Sequence, residues 1–203
     1  MDGKSPSIAA MTMAVDRDAL RYAAAVQSNS YRVEILTAAN VRSMFDTLSR
    51  YWKTGHDDAF PKHIIYFRGG VSEDQSAHVI DQVICRIKDY LKEKTPPLLM
   101  PKFTVIVATK RHHIRFSPQE GEGDRNDNPL PGILVERDVT HPFMWDFYLS
   151  SHVAIQVGTA RPVHYHVILD EMEVPVNDLQ KMIYQQCYSY ARSTTPVSLH
   201  PAV

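Results

Sequence analysis

The feature that most constrains the fold is an alternation of short apolar runs with helix-periodic segments. His63–Phe67 and Phe103–Ala108 are compact runs rich in β-branched and aromatic residues, the first bounded by Pro61 and by Gly69-Gly70. Each has the length and composition of a buried strand. Between them, Val79, Val83, Ile84, Ile87 and Leu91 recur at helical spacing, and before them Val41, Met44, Phe45, Leu48 and Trp52 do the same over Ala38–Trp52. Helices and strands in this order need crossover connections. The expectation is therefore an α/β sheet with partly parallel pairing.

The remaining chain fills in around that frame. Ser7–Val15 and Leu20–Gln27 read as strands joined through the polar turn Asp16-Arg17-Asp18, a hairpin. Gly55 ends the first helix, Ser72 with Gln75 is a capping-box signature for the second, and Pro96-Pro97 stops it. Ser117–Pro131, rich in Gly, Asp, Asn, Glu and Pro, reads as a long loop. Ile133–Val135, Phe147–Ser150 and Val163–Leu169 are strand-like. Asn177-Asp178 can cap a final helix running to about Ala191, with Leu179, Met182, Ile183, Gln186 and Tyr190 on one side. The tail Ser193–Val203 has no periodicity and is expected to fray.

Composition excludes several classes. The 203 residues carry a net charge of -1, so a nucleic-acid site has to be a local patch. Cys85 and Cys187 stand far apart and suggest no disulfide framework. No apolar run approaches the roughly 18 residues of a membrane span, and the start of the chain lacks a signal-peptide core. The default expectation is a cytoplasmic or nuclear protein with no membrane partner.

Three clusters could carry chemistry. Lys110-Arg111-His112-His113-Ile114-Arg115 directly follows a predicted strand, where α/β sheets gather ligands and where Lys and Arg suit phosphate oxygens. The competing reading is a solvated basic turn balanced by Glu120, Glu122, Asp124 and Asp127, and on the residues alone that reading has the edge. Ser151-His152 is followed by Arg161-Pro162 and by His164 and His166, which share one face of a strand. No Cys or further His stands at useful spacing, so a structural or RNA-facing role outweighs a zinc site. Tyr190, Arg192 and Ser198 close the series at the end of the last helix, where an arginine also suits the negative dipole end. Glu34 stands by itself. Two-metal phosphoryl chemistry needs several carboxylates around ions about 3.5–4 Å apart, which one glutamate cannot supply.

Taken in order, Ser5-Pro-Ser-Ile-Ala-Ala, Arg32-Val-Glu-Ile, Ile64-Ile-Tyr-Phe-Arg-Gly-Gly-Val-Ser-Glu, Lys110-Arg-His-His-Ile-Arg-Phe, Thr140-His-Pro, Asp146-Phe-Tyr-Leu-Ser-Ser-His and Arg161-Pro-Val-His-Tyr-His-Val resemble the Piwi domain of eukaryotic Argonautes. The resemblance runs from about Ser5 to Ser198. It implies an RNase H-like α/β fold, a mixed sheet flanked by helices, and it implies that the chain is a partial Piwi domain, truncated at both ends and lacking the first central strand. Without that strand, its two neighbours must pair with each other or keep open edges, and the isolated chain is expected to be marginally stable or to rely on the remainder of an Argonaute.

The family's Mg²⁺-binding tetrad carries over poorly. Glu34 matches its glutamate, but Gly69 stands where the next aspartate belongs, and the first aspartate and final His or Asp fall outside the chain. Asp138 imitates the first aspartate, yet its neighbours match the later Thr-His-Pro segment, so it is rejected as catalytic. Asp74, five residues beyond Gly69, is a poor replacement, and an active nuclease would need carboxylates such as Asp2 or Asp74 to fill the site. The guide-contacting positions carry over better: Lys110, Arg111, His113, Arg115, His152, Arg161, Tyr190, Arg192 and Ser198. Gln156-Val157-Gly158 holds an extra residue that could shift His152 relative to Arg161. The resemblance thus implies a binder of single-stranded guide RNA and its paired target in RNA silencing, without slicing and without a cofactor. The alternatives are a Mg²⁺-dependent nuclease and a docking module for Trp-containing silencing proteins.

Overall fold

The computed structural model describes residues 5–29, 36–70, 76–153 and 158–201. They form two compact units: Met1–Lys62 with Glu73–Pro101, and His63–Ser72 with Lys102–Val203.

The first unit begins with the hairpin. Strands β1 (Ile8–Ala14) and β2 (Tyr22–Ser28) pair antiparallel in the register Ile8↔Ser28 to Ala14↔Tyr22. The Asp16 carboxylate closes the turn by accepting from the Leu20 and Arg21 amides. One face of the hairpin, with Ala9 and Met11 buried, packs on helix α1 (Ala38–Thr54). Thr37 caps α1 by accepting from the Asn40 amide, and its Val41, Met44, Phe45 and Leu48 are fully or almost fully buried, as their spacing predicts.

The next helical stretch departs from the expected single helix. It is α2 (Ser76–Val79), a π-helical turn (Ile80–Ile84) and α3 (Cys85–Lys94). No Gly or Pro lies at the junction to announce it. Val83, Ile84, Ile87, Tyr90 and Leu91 are nevertheless buried, and Tyr90 donates to the Asp46 carboxylate at 2.6 Å. Ser72, Gln75 and the capping box they were read to form lie outside the described residues.

The second unit is a mixed five-stranded sheet in the order β3-β4-β7-β6-β5. Strands β3 (His63–Gly69) and β4 (Lys102–Thr109) are parallel. Strands β5 (Ile133–Val135), β6 (Trp145–Ser150) and β7 (Val163–Asp170) complete it with antiparallel pairings. Every residue of β4 from Phe103 to Ala108 is buried, which is why this run reads as continuously apolar. In β7, Val163, Tyr165 and Val167 face a core shared with Phe147, Leu149, Ile106 and helix α4 (Val176–Gln186), through Leu179 and Ile183. His164 and His166 therefore point to the opposite face.

Both ends of the last helix differ from the sequence reading. Helix α4 starts from Pro175, whose carbonyl accepts from the Asp178 and Leu179 amides, so Asn177 and Asp178 lie in its first turn. It ends at Gln186 because Tyr188 and Ser189 turn back tightly on the Gln185 and Gln186 carbonyls, so Tyr190 and Arg192 follow the helix. Gly132 (φ 97°) leads into β5, where a Cβ would stand 3.3 Å from the Tyr184 hydroxyl. Strand β1 pairs with β2, and among the described residues β3 has no strand on its outer side.

Candidate nucleic-acid interface

Strands β4 and β6 each pair antiparallel with β7, so they run parallel to each other and their C-terminal ends share one edge of the sheet. The Lys110–Arg115 turn leaves β4 at that edge, and Ser151-His152 leaves β6 there. Arg161-Pro162 enters β7 at the same edge. Topology thus brings three of the predicted cationic segments together at the strand ends where α/β sheets gather ligands.

The tail completes the group. Ser198 accepts from the Lys110 amine at 2.5 Å across 88 residues of chain. The Ser151 hydroxyl donates to the Val197 carbonyl at 2.8 Å, the Val197 amide donates to the Cys187 carbonyl at 2.9 Å, and the buried His200 ring stacks on Phe67 with centroids 4.0 Å apart. A segment without any periodicity is therefore held at three points by partners from distant parts of the chain, and at a fourth by Cys187.

Electrostatics shows the same convergence. Desolvation, then the nearby Arg161 guanidinium, pulls the Lys110 amine below its usual value. Desolvation and then Lys110 push His152 below the ordinary histidine value. Like charges held together in this way are repelling, and an anionic ligand relieves the repulsion. Arg111, His113, Arg161, Tyr190 and Arg192 are exposed. Arg115 is half-buried and donates to the His112 and Ile114 carbonyls at 3.1 and 2.6 Å, closing the turn on itself.

Behind the cationic edge lies an aromatic and carboxylate layer that spacing did not reveal. Asp146, 6% exposed, bonds His164 Nε2 at 2.6 Å and accepts from the His141 amide at 2.9 Å. Tyr148 stacks on His164 with centroids 4.4 Å apart and meets the edge of His112 at 5.3 Å. His164 is thus engaged by a carboxylate. Its proximity to Asp146 is diagonal across β6 and β7 and becomes visible once their register is known.

The carboxylate side of the site is thin. Gly69 ends β3 opposite Ala108, one strand away from the cationic turn, and offers no side-chain oxygen for Mg²⁺. Glu34, Asp74 and Asp2 lie outside the described residues. Asp138 is exposed, with φ 68°, in the loop before β6, at the other end of the sheet from Lys110. Among the described residues no three His, Cys, Asp or Glu side chains gather as metal ligands would. In the first unit, a cavity of about 360 Å³ beside α1 and α3 is lined by Ala38, Ala39, Arg42, Arg86, Asp89 and Glu93. No helix among the described residues is long and apolar enough to cross a membrane.

Comparison with known proteins puts this geometry in context. The family model described as "Piwi domain" matches residues 1–203. Protein argonaute of Schizosaccharomyces pombe is 39% identical over 97% of this chain, and protein argonaute 2 of Oryza sativa subsp. japonica is 38% identical over 97%. The chain spans 23% and 18% of those two proteins. The crystal structure of the C-terminal lobe of a budding yeast Argonaute superposes with a TM-score of 0.89 at 29% identity, covering 100% of this chain and 42% of that one. Kluyveromyces polysporus Argonaute with a guide RNA gives 0.86 at 29% identity, covering 100% of this chain and 24% of that one.

Proposed function

The chain belongs to the Piwi domain family and has its RNase H-like α/β fold, and from that premise we propose that it holds the sugar-phosphate backbone of a single-stranded guide RNA in RNA silencing, without cutting the paired target. The observation that carries this reading is the joining of Lys110 and Ser198 at the C-terminal edge of β4, with Arg161 and His152 close by. Lys110, Arg111, His113, Arg115, His152, Arg161, Tyr190, Arg192 and Ser198 are the residues proposed to meet phosphates. Phosphate contacts fix register without reading bases. The similarity to an Argonaute structure that holds a guide RNA supports the same assignment.

The absence of slicing is proposed from Gly69. A two-metal mechanism needs several carboxylates converging on one place, and β3 ends in glycine where the family's aspartate would stand. Mg²⁺ has no role in the binding reading.

The test is binding of a 5′-phosphorylated single-stranded RNA over a salt series. Affinity is expected to fall steeply as salt rises, with a slope of about -0.7 per phosphate neutralised. The double variant Arg111→Ala, Arg115→Ala should flatten that slope by about 1–2 and weaken binding roughly tenfold or more at physiological salt. Parent-like binding by the double variant at every salt concentration would refute the assignment. Mg²⁺-dependent cleavage of the paired strand, abolished by Glu34→Ala, would restore the nuclease reading.

A further inference from the structure

Between the exposed Arg111 and His113, the His112 ring turns inward. We propose that His112 is a positioning residue that fixes the spacing between the Lys110–Arg115 turn and the Arg161 segment, so that successive phosphates of one strand engage both. The inference rests on the guide-strand reading above and names what holds that site in shape.

His112 Nε2 donates to the Pro162 carbonyl at 2.9 Å. Pro162 is buried and immediately follows Arg161, so this bond ties the turn to the peptide that carries the second cation. Because Nε2 is the donor, Nδ1 is left as a bare acceptor, and it is buried without a hydrogen-bond partner among the described residues. A side chain chosen for filling space would not leave a nitrogen stranded there, and a phenyl ring would pack without that cost. What imidazole adds is the Nε2 donor at the right reach.

The ring is braced on its other side. Its edge meets Tyr148, which stacks on His164, which is bonded to the buried Asp146. Each link is held by the sheet, since Asp146 and Tyr148 lie on β6 and His164 on β7. Arg115 donates to the His112 carbonyl, so a shift of the His112 backbone also moves that guanidinium. Desolvation, then the nearby His164, Arg115 and Arg161, keeps His112 below the ordinary histidine value despite its bond to Pro162. At neutral pH it is an uncharged donor and adds no phosphate contact of its own.

Two variants of the full chain separate the roles, with a 5′-phosphorylated single-stranded RNA as probe. His112→Phe keeps the ring and loses the donor. His112→Gln loses the ring and keeps an amide donor at similar reach. The Phe variant should bind about tenfold more weakly and show a salt slope shallower by about 1, as if a phosphate contact were lost. The Gln variant should recover the parent slope. Melting curves are recorded alongside. A merely structural role would track the loss of stability in each variant and leave the slope of both unchanged. A parent that binds with a steep slope while His112→Phe matches it overturns the inference alone, as does a Gln variant that fails to recover the slope. A parent that binds with no salt slope overturns the guide-strand reading and the inference with it.

Discussion

At the scale of single residues, burial decides behaviour more than identity does. His200 is 5% exposed against Phe67, and desolvation pushes its pKa down to about 4 from the usual 6.5. The unfolded chain therefore binds a proton below about pH 6.5 that the folded chain refuses until about pH 4. Stability is full above 6.5 and falls as pH drops through that window, by on the order of 3 kcal/mol for this group. His112 and His152 are shifted in the same direction and add to the slope. His200→Phe preserves an aromatic stack on Phe67 and removes the titration. Urea unfolding at pH 7 and pH 5 is expected to show a markedly smaller loss for the variant than for the parent, and an equal loss would show that His200 does not carry this linkage. Lys110 and Ser198, both singled out in the sequence, are given a defined place by their bond rather than by burial.

At the scale of elements, local period was a good guide and long-range pairing was not. The α1 face is legible because Val41, Met44, Phe45 and Leu48 recur with the helical repeat, and all four are buried. Leu48 is 0% exposed, so Leu48→Ala is expected to cost about 2–5 kcal/mol in denaturant unfolding of the chain. A cost below 1 kcal/mol would mean that this face is not a close-packed core. Strand β4 is legible because both its faces are buried, and β5 was bounded correctly by its three residues. The π-helical turn at Ile80–Ile84 had no Gly, Pro or polar insertion to mark it. The end of α4 was misplaced because Tyr190 continues the helical spacing although tight turns at Tyr188 and Ser189 have already broken the helix. The place of β7 between β4 and β6 is a non-local fact, and the Asp146–His164 pair depends on it. The cationic segments stand out in the sequence as clusters and the family resemblance implies their guide-contacting role, whereas their meeting at one edge and the inward turn of His112 required the strand order.

At the scale of the molecule, a chain of net charge -1 gathers cations at one sheet edge, and several acids among the described residues are engaged locally. Asp170, for example, accepts from Thr104 and from the Met172 and Val174 amides, and Asp124 closes its own loop through the Asn126 and Asn128 amides. On the guide-strand proposal, attraction to RNA is local, and a site built on phosphates should bind unstructured strands of different base sequence within about threefold of one another at fixed salt. A tenfold preference for one sequence, measured by direct titration, would show that bases are being read. The bond between Lys110 and Ser198 spans 88 residues, so it cannot form on a growing polypeptide until that stretch has been made. At about 5–20 residues per second, translation takes roughly 4–18 s to add that stretch. Throughout that interval the basic turn has already been made but lacks the hydroxyl that fixes its lysine, so the Lys110 amine takes its place only after Ser198 has been added.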